Sequence, residues 1–350
     1  MTLWKLLALE AFDVIIVGGG PAGLQCARVL SGSQLRILLL EKDVSFGDKL
    51  CAGGLTLKDM KILPLPDHLI QQKILKFALH SRRRTAETQT AFPFVFTVDR
   101  RELGAYQRSL LNDTDVVVRT RSQVTEIGDH KLKLKTGEEY RFRYLVGADG
   151  YASVVRRHLG LKISHRLMGM QYTFSVDQKH PELEMFLDAR KFHTWYAWIF
   201  PHGSKIAVGC CWDPARVNSQ KVKFNFQEWL KEKGMDPGQS RLDSRPIACD
   251  YQGYHFGDVF LVGEAAGLAS GFTGEGIYQA LVSGQEVAKI IMDPEYKPEV
   301  MSEVLKYNRT LDRMMAVFRR AGPLRGAFQE FLLFLMTRNW IRNKINTLFS

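Results

Sequence analysis

Three glycine-rich stretches hold the residues whose types and spacing could do chemistry. They are Gly18-Gly19-Gly20-Pro21-Ala22-Gly23, Gly147-Ala148-Asp149-Gly150, and Gly263-Glu264-Ala265-Ala266-Gly267, the last continued by Gly271-Phe272-Thr273-Gly274-Glu275-Gly276. Backbone N–H groups left bare by glycine can bind phosphates, and a nearby carboxylate can bind hydroxyls. The first stretch is the most complete. Gly18 permits a tight turn, Gly20 lets backbone approach a pyrophosphate, and Gly23 lets a helix pack closely on a strand. Glu41 follows about 20 residues on, where an acid binds a ribose hydroxyl. This spacing marks a dinucleotide site, shared by NAD and FAD. One such turn suits NAD alone. Three, spread over most of the chain, suit a larger cofactor running through the protein.

A second group of candidates lies between these turns. Lys42 to Leu55 shows neither helical nor strand period, and Gly53-Gly54 mark a loop whose backbone comes close to something. Tyr196 and Trp198 alternate along a strand and so point the same way. Aromatic walls suit an apolar ligand, and equally the ordinary core of a sheet. Arg82-Arg83-Arg84 sit in a polar insert, as a solvated hairpin tip or an anion contact. His165, His193 and His255 have no ligand spacing and are expected to be structural or superficial. The five cysteines, Cys26, Cys51, Cys210, Cys211 and Cys249, form no C-x-x-C pair. That predicts a reducing compartment, no metal and no iron–sulfur cluster.

The elements that must position these residues begin with an apolar run, Val14 to Val17, a helix over Leu24–Leu30 that Gly32 can stop, and a second run, Leu35 to Leu40. Strand, glycine turn, helix, strand and acid thus succeed one another. Strands are expected around the Ser81–Thr90 insert, at Ile74–Leu79 and Phe92–Val98. A helix over Asp99–Leu111 is capped by Asp99, with Glu102 placed for a capping box. Strands follow at Val116–Arg119, Lys131–Lys135 and Tyr140–Val146, then a basic helix at Ser153–Leu159. From Gly169 to Cys211 the pattern is β throughout, which suggests a separate sheet. A helix over Phe224–Lys233, a strand at Asp258–Val262 and a helix from Ile277 to Ile291 complete this part.

Length and charge bound the rest. At 350 residues two domains are expected, and the 45% apolar content allows a sizeable core. The net charge of +11 favours an anionic partner. With no nucleic-acid motif, a membrane surface or a phosphorylated substrate is preferred. Leu6-Leu7-Ala8-Leu9 is too short for a signal-peptide core, and no run reaches the roughly 18 apolar residues of a membrane span. A cytoplasmic protein is expected, with a peripheral place on the inner membrane surface left open. The tail from Val300 to Ser350 reads as helical and basic, with Phe331 to Met336 followed by Arg338, Trp340, Arg342 and Lys344. It suits an interfacial helix, or a helix packed on the protein's own sheet.

Taken together, the chain resembles the FAD-dependent oxidoreductases of the p-hydroxybenzoate-hydroxylase fold. Asp149-Gly150, with Ser153 and Arg156 after it, is similar to that family's D-G motif. Gly263-Glu264 is similar to its G-D motif, with Glu for the usual Asp. Arg100 matches the arginine that approaches the FAD. Within the family, Lys49-Leu50-Cys51-Ala52-Gly53-Gly54 resembles the K-x-C-x-G-G loop of geranylgeranyl reductases, and Tyr196-Ala197-Trp198-Ile199-Phe200-Pro201 their Y-x-W-x-F-P stretch. Gly274-Glu275-Gly276-Ile277 resembles their flavin-contacting turn. His202 stands where many members have lysine. The matches run from residue 14 to about 290. They imply an α/β fold: a Rossmann-like FAD-binding domain (10–60, 99–165 and 250–292), an inserted antiparallel β-sheet substrate domain (61–98 and 166–249) and a C-terminal helical tail (293–350).

The resemblance also implies roles. Gly18, Gly20, Ala22, Gly23, Glu41, Lys42, Cys51, Ala52, Gly53, Arg100, Asp149, Gly150, Gly263, Glu264, Gly274, Glu275, Gly276 and Ile277 would bind FAD. Backbone N–H groups of Gly274 to Ile277 could stabilise negative charge on the reduced ring. Tyr196, Trp198 and Phe200 would line a cavity for an apolar prenyl or lipid chain. Cys51 is a candidate proton donor, or a small packed residue. The implied activity is reduction of C=C bonds in prenyl or similar, also phosphorylated, lipids. The alternatives are a flavin monooxygenase or halogenase, and an electron relay to a membrane quinone. The electron donor, NAD(P)H or ferredoxin, is left open. Membrane contact would come through the basic C-terminal helices.

Overall fold

The structure is a computed structural model and describes residues 9–178 and 180–336. Its helices are α1 (Pro21–Leu30), α2 (Leu57–Ile62), α3 (Arg100–Ser109), α4 (Val154–His158), α5 (Ser219–Glu232), α6 (Ile277–Met292), α7 (Glu299–Arg320) and α8 (Arg325–Met336). The strand Glu10–Val17 lies at the middle of an eight-stranded sheet. Its apolar residues have both faces covered, and Val14, Ile15 and Ile16 are fully buried. Ile37–Leu40 runs parallel on one side, with Val14 opposite Ile37, and Val117–Arg119 extends the sheet beyond it. Glu139–Gly147 runs parallel on the other side, with Val17 opposite Gly147, and Val259–Leu261 follows. Three neighbouring parallel strands therefore end together, and each is followed by one of the three glycine turns. A crevice at the carboxyl ends of strands that depart to either side is where such sheets bind ligands.

Seven strands form a second sheet in the order Asp243–Ala248, Arg166–Ser175, Lys205–Trp212, Ala197–His202, Leu183–Phe186, Lys76–His80 and Thr85–Gln89. Only Leu183–Phe186 and Lys76–His80 pair in parallel. The period-two alternation divides its faces. Ala197, Ile199, Val208 and Cys210 pack on Val222, Phe226 and Trp229 of α5. Trp198 and Cys211 join Trp195, with Met315 and Phe318 of α7 and Phe328 of α8, on the other face. A three-stranded sheet, Gly54–Thr56, Val95–Thr97 and Gln72–Ile74, lies between.

Some elements differ from expectation. The polar insert is not all loop: Thr85–Gln89 pairs with Lys76–His80, leaving Arg82 to Arg84 at the tip. There Arg84 lies 3.1 Å from Glu330 of α8, and Arg83 donates its N–H to the same carboxylate at 3.1 Å. Val124–Gly128 and Asp243–Ala248 are strands without an expected counterpart. Thr125 and Glu126 break the apolar alternation in the first, and Pro246 disguises the second, which survives because it is an edge. The tail is helical through α7 and α8, while Arg338, Trp340, Arg342 and Lys344 lie outside the described residues. Among the described residues no helix is long and apolar enough to cross a membrane.

Candidate cofactor and substrate site

The three glycines of the first turn are required for different reasons. Gly18 has φ of +107°, and a Cβ there would lie 2.4 Å from the Ala148 carbonyl oxygen. A Cβ on Gly23 would lie 2.0 Å from the carbonyl oxygen of Gly18. Nothing lies within 4 Å of the same position on Gly20. Packing within the chain thus demands Gly18 and Gly23, whereas Gly20 opens onto free space at the uncapped start of α1. Exposed N–H groups at a helix N-terminus attract anions. Glu41, only 9% exposed, accepts the Gly19 N–H at 2.6 Å and the Asp43 N–H at 2.9 Å, so it also braces the turn. Gly284 of α6 must stay glycine because it packs against the Ala22 carbonyl, and Gly263 lies close to the Ala22 methyl. Lys42 instead points to solvent, 3.7 Å from Asp43.

Two polar groups are left short of partners. Asp99 caps α3 through the N–H groups of Arg101 and Glu102, at 2.8 and 3.2 Å. The cap sets Arg100 on the first turn, where its Nε and Nη1 are buried without a hydrogen-bond partner among the described residues. Asp149 accepts the Val154 N–H at 2.6 Å through Oδ2, while Oδ1 is buried and unpartnered. Burial pushes its carboxyl above the ordinary range. A buried donor or acceptor without a partner is costly, so both groups call for a ligand. Glu264 accepts the Ala248 N–H at 2.9 Å and ion-pairs with Lys49 through its other oxygen. That oxygen also faces Gly150, so the second and third turns meet the Lys49 loop at Glu264. At the far end, Gly276 starts α6 without a side-chain cap, and Gly274 holds φ of +68°. Burial, with the Asp59 charge adding to it, pushes the Glu275 carboxyl up to about 7. The open space over Gly20, the unpartnered atoms of Arg100 and Asp149, and two uncapped helix starts fit a dinucleotide with phosphates and hydroxyls.

The Cys51 loop is pinned by two residues that the motifs did not single out as site residues. Gln171, 4% exposed, donates Nε2–H to the Cys51 carbonyl at 3.3 Å. His202 Nε2 lies 2.9 Å from the Ala52 carbonyl, and its Nδ1 lies 2.6 Å from Gln71 Oε1. Gly53 holds φ of +71°, and a Cβ there would lie 2.4 Å from the Val98 carbonyl oxygen and 2.8 Å from the His202 ring. Cys51 itself is half-buried, with Sγ receiving the Gly53 N–H at 3.4 Å. The departure from lysine at position 202 was a signal for His202. Gln171 left none beyond being polar in an apolar strand.

A row of aromatic side chains joins this loop to the third turn. Tyr196 donates its hydroxyl to the Thr273 carbonyl, beside Gly274. Trp198 lies over Gly209, where a Cβ would come within 2.4 Å of the ring, and donates its N–H to Gln171 Oε1 at 3.3 Å. Phe200 lies over Gly54, where a Cβ would come within 2.5 Å. Tyr196, Trp198 and Phe200 therefore run from the 273–274 turn to the 51–54 loop, on the face that α7 and α8 cover.

Comparisons with known proteins agree with the fold. Residues 2–136 match the model of the Thi4 family. The geranylgeranyl diphosphate reductase of Rhodobacter capsulatus is 26% identical over 301 residues, covering 80% of this chain and 75% of its own. The digeranylgeranylglycerophospholipid reductase of Methanocaldococcus jannaschii is 24% identical, covering 87% and 88%. A geranylgeranyl bacteriochlorophyll reductase-like protein from Thermoplasma acidophilum superposes with a TM-score of 0.81 at 21% identity, over 95% of this chain and 92% of that one. A probable FAD-dependent monooxygenase from Pseudomonas aeruginosa shares the fold at 0.70 and 15%, over 94% and 99%. The chain is thus similar to the geranylgeranyl reductase-like FAD-dependent oxidoreductases, and FAD is its cofactor.

Proposed function

We propose that this protein reduces carbon–carbon double bonds in prenyl or similarly apolar lipid chains, with the chain lying between the aromatic row and the Cys51 loop. The row Tyr196, Trp198 and Phe200 carries the reading, because it spans the two loops that the flavin ring would face. Gly20, Glu41, Arg100, Asp149, Gly150, Glu264 and the start of α6 would hold the cofactor. FAD bound there, once reduced by an external electron donor, would supply hydride. Saturating an isolated double bond also needs a proton on the other carbon. Cys51 would donate it and be left as thiolate, to be reprotonated from water. Gln171 and His202 hold the Cys51 and Ala52 carbonyls next to that thiol, so they orient it. The apolar face closed by Met315, Phe318 and Phe328 keeps bulk water from the site. The exposed apolar edge of α8 would meet the lipid surface from which such a chain is drawn.

The names of the relatives support this class of substrate without fixing the lipid. The test is anaerobic incubation of chemically reduced, flavin-loaded protein with geranylgeranyl diphosphate, followed by mass spectrometry of the extracted chain. Gain of two hydrogens per reduced bond is expected. An unchanged chain, with oxygen consumed in step with a hydroxylated product once air enters, would support a monooxygenase instead.

A further inference from the structure

Beyond the cofactor crevice, at the α7–α8 end of the aromatic face, cationic side chains gather with too few acceptors. Asp213 closes the strand Lys205–Trp212 and is 2% exposed. Its Oδ2 lies 3.3 Å from Arg216 Nε and 3.4 Å from His165 Nε2. The same His165 nitrogen lies 3.1 Å from Arg319 Nη2, while Nδ1 lies 3.0 Å from Cys249 Sγ. One ring nitrogen cannot both donate to Asp213 and accept from Arg319, so one of these partners goes unanswered. Arg319 Nε and Arg325 Nε are both buried without a partner among the described residues.

The charges are close enough to oppose one another. Burial and the Arg216 charge pull the Arg325 guanidinium below its ordinary range. Burial, then Arg325 and Arg216, does the same to the His193 imidazole, against a weaker pull from Asp213. Asp312 is the other acid here; burial raises its carboxyl above the ordinary range, against weaker opposing pulls from Arg319 and His165. Three guanidiniums therefore meet two carboxylates. His193 is also held at φ of +59°, a left-handed conformation that non-glycine residues rarely adopt. The cluster adjoins the apolar space, because the Arg319 guanidinium lies 5.3 Å over the Trp195 ring, next in sequence to Tyr196.

We infer that Arg216, Arg319 and Arg325, with His193, seat the phosphate or diphosphate head of the substrate, whose chain runs past Trp195 toward the Cys51 loop. Planar guanidiniums bind phosphate oxygens in pairs, and an anion of two or more charges relieves their mutual repulsion. The inference rests on the reductase reading, and extends it by saying which end of the apolar space takes the charge.

Flavin-loaded, full-length protein titrated calorimetrically with inorganic diphosphate tests the seat without any redox chemistry. The wild type binds, R216A/R325A binds at least about tenfold more weakly, and R216K/R325K falls between. Retained flavin absorbance shows that each variant is folded. R325A alone breaks no ion pair among the described residues, so it carries the same test, at about threefold, should the double variant lose its flavin. Diphosphate that binds wild type and R325A equally, or binds neither, overturns the seat. So does weaker binding of R216A/R325A to phosphatidylglycerol vesicles with unchanged diphosphate affinity, which would assign the cluster to the membrane.

Anaerobic reoxidation separates this inference from the reading beneath it. The preference for geranylgeranyl diphosphate over geranylgeraniol falls in R216A/R325A. If neither prenyl compound reoxidises the wild type yet the calorimetric difference stands, the seat is supported and the reductase reading fails. If both react but the preference is unchanged, the reductase reading stands and the seat fails.

Discussion

A methyl group added to each glycine of the first turn should separate cofactor binding from folding. Gly20→Ala meets no atom of the chain, so it should weaken FAD binding about tenfold with little change in the melting temperature of the flavin-free protein. Gly23→Ala would press on the Gly18 carbonyl and should destabilise the fold by about 2 kcal/mol. Equal effects at the two positions on flavin titration and thermal melting would contradict this division. Similar reasoning applies to the Cys51 loop. His202→Ala removes the contact to the Ala52 carbonyl, so Cys51 should react several-fold faster with an alkylating agent, while His202→Gln, which can still donate to that carbonyl, restores the slower rate. Unchanged thiol reactivity in His202→Ala would remove His202 as a positioning residue. The motif glycines, the acids and Cys51 were legible in the sequence because their spacing is local. Gln171 was not, because its partners, Cys51 and Trp198, come to it only when the sheets meet.

At the level of elements, the start of α6 sets a pH dependence. The Glu275 carboxyl rises from an ordinary 4.5 to about 7 in the folded protein, so the folded state holds its proton more tightly between those values. Stability from this group is therefore present at low pH and lost as pH climbs from about 4.5 through 7. Glu275→Gln should flatten that part of the melting-temperature profile. Parallel profiles for wild type and variant would contradict it. The central strand, its turn and α1 were readable because a buried parallel strand is a continuous apolar run and because the glycines mark the turn. Asp99 likewise announced α3. Thr85–Gln89 and Asp243–Ala248 were hidden for a shared reason: both are edges of the seven-stranded sheet, one polar but for Ala86 and one carrying Pro246. An edge strand needs only one neighbour and little burial, so its composition resembles that of a loop.

Across the whole molecule, α8 decides whether the two proposed readings of the tail compete. Leu333 is fully buried and the Gln329 side-chain carbonyl accepts the Ala189 N–H at 3.0 Å, so this helix is packed on the protein. Phe331 of this helix is 55% exposed and Leu324, just before its start, is 71% exposed, so together they present an apolar edge. L324D/F331D should lower cosedimentation with anionic lipid vesicles several-fold while leaving flavin bound, and unchanged cosedimentation would remove the lipid-surface reading. The path from such a surface, past the aromatic row, to the Cys51 loop and the flavin is the central claim, and one spectrum tests it most directly. Flavin-loaded protein is reduced without oxygen, geranylgeranyl diphosphate is added, and the flavin absorbance is followed. The oxidised flavin band should return in the absence of oxygen. A band that returns only when air or a quinone enters would contradict it.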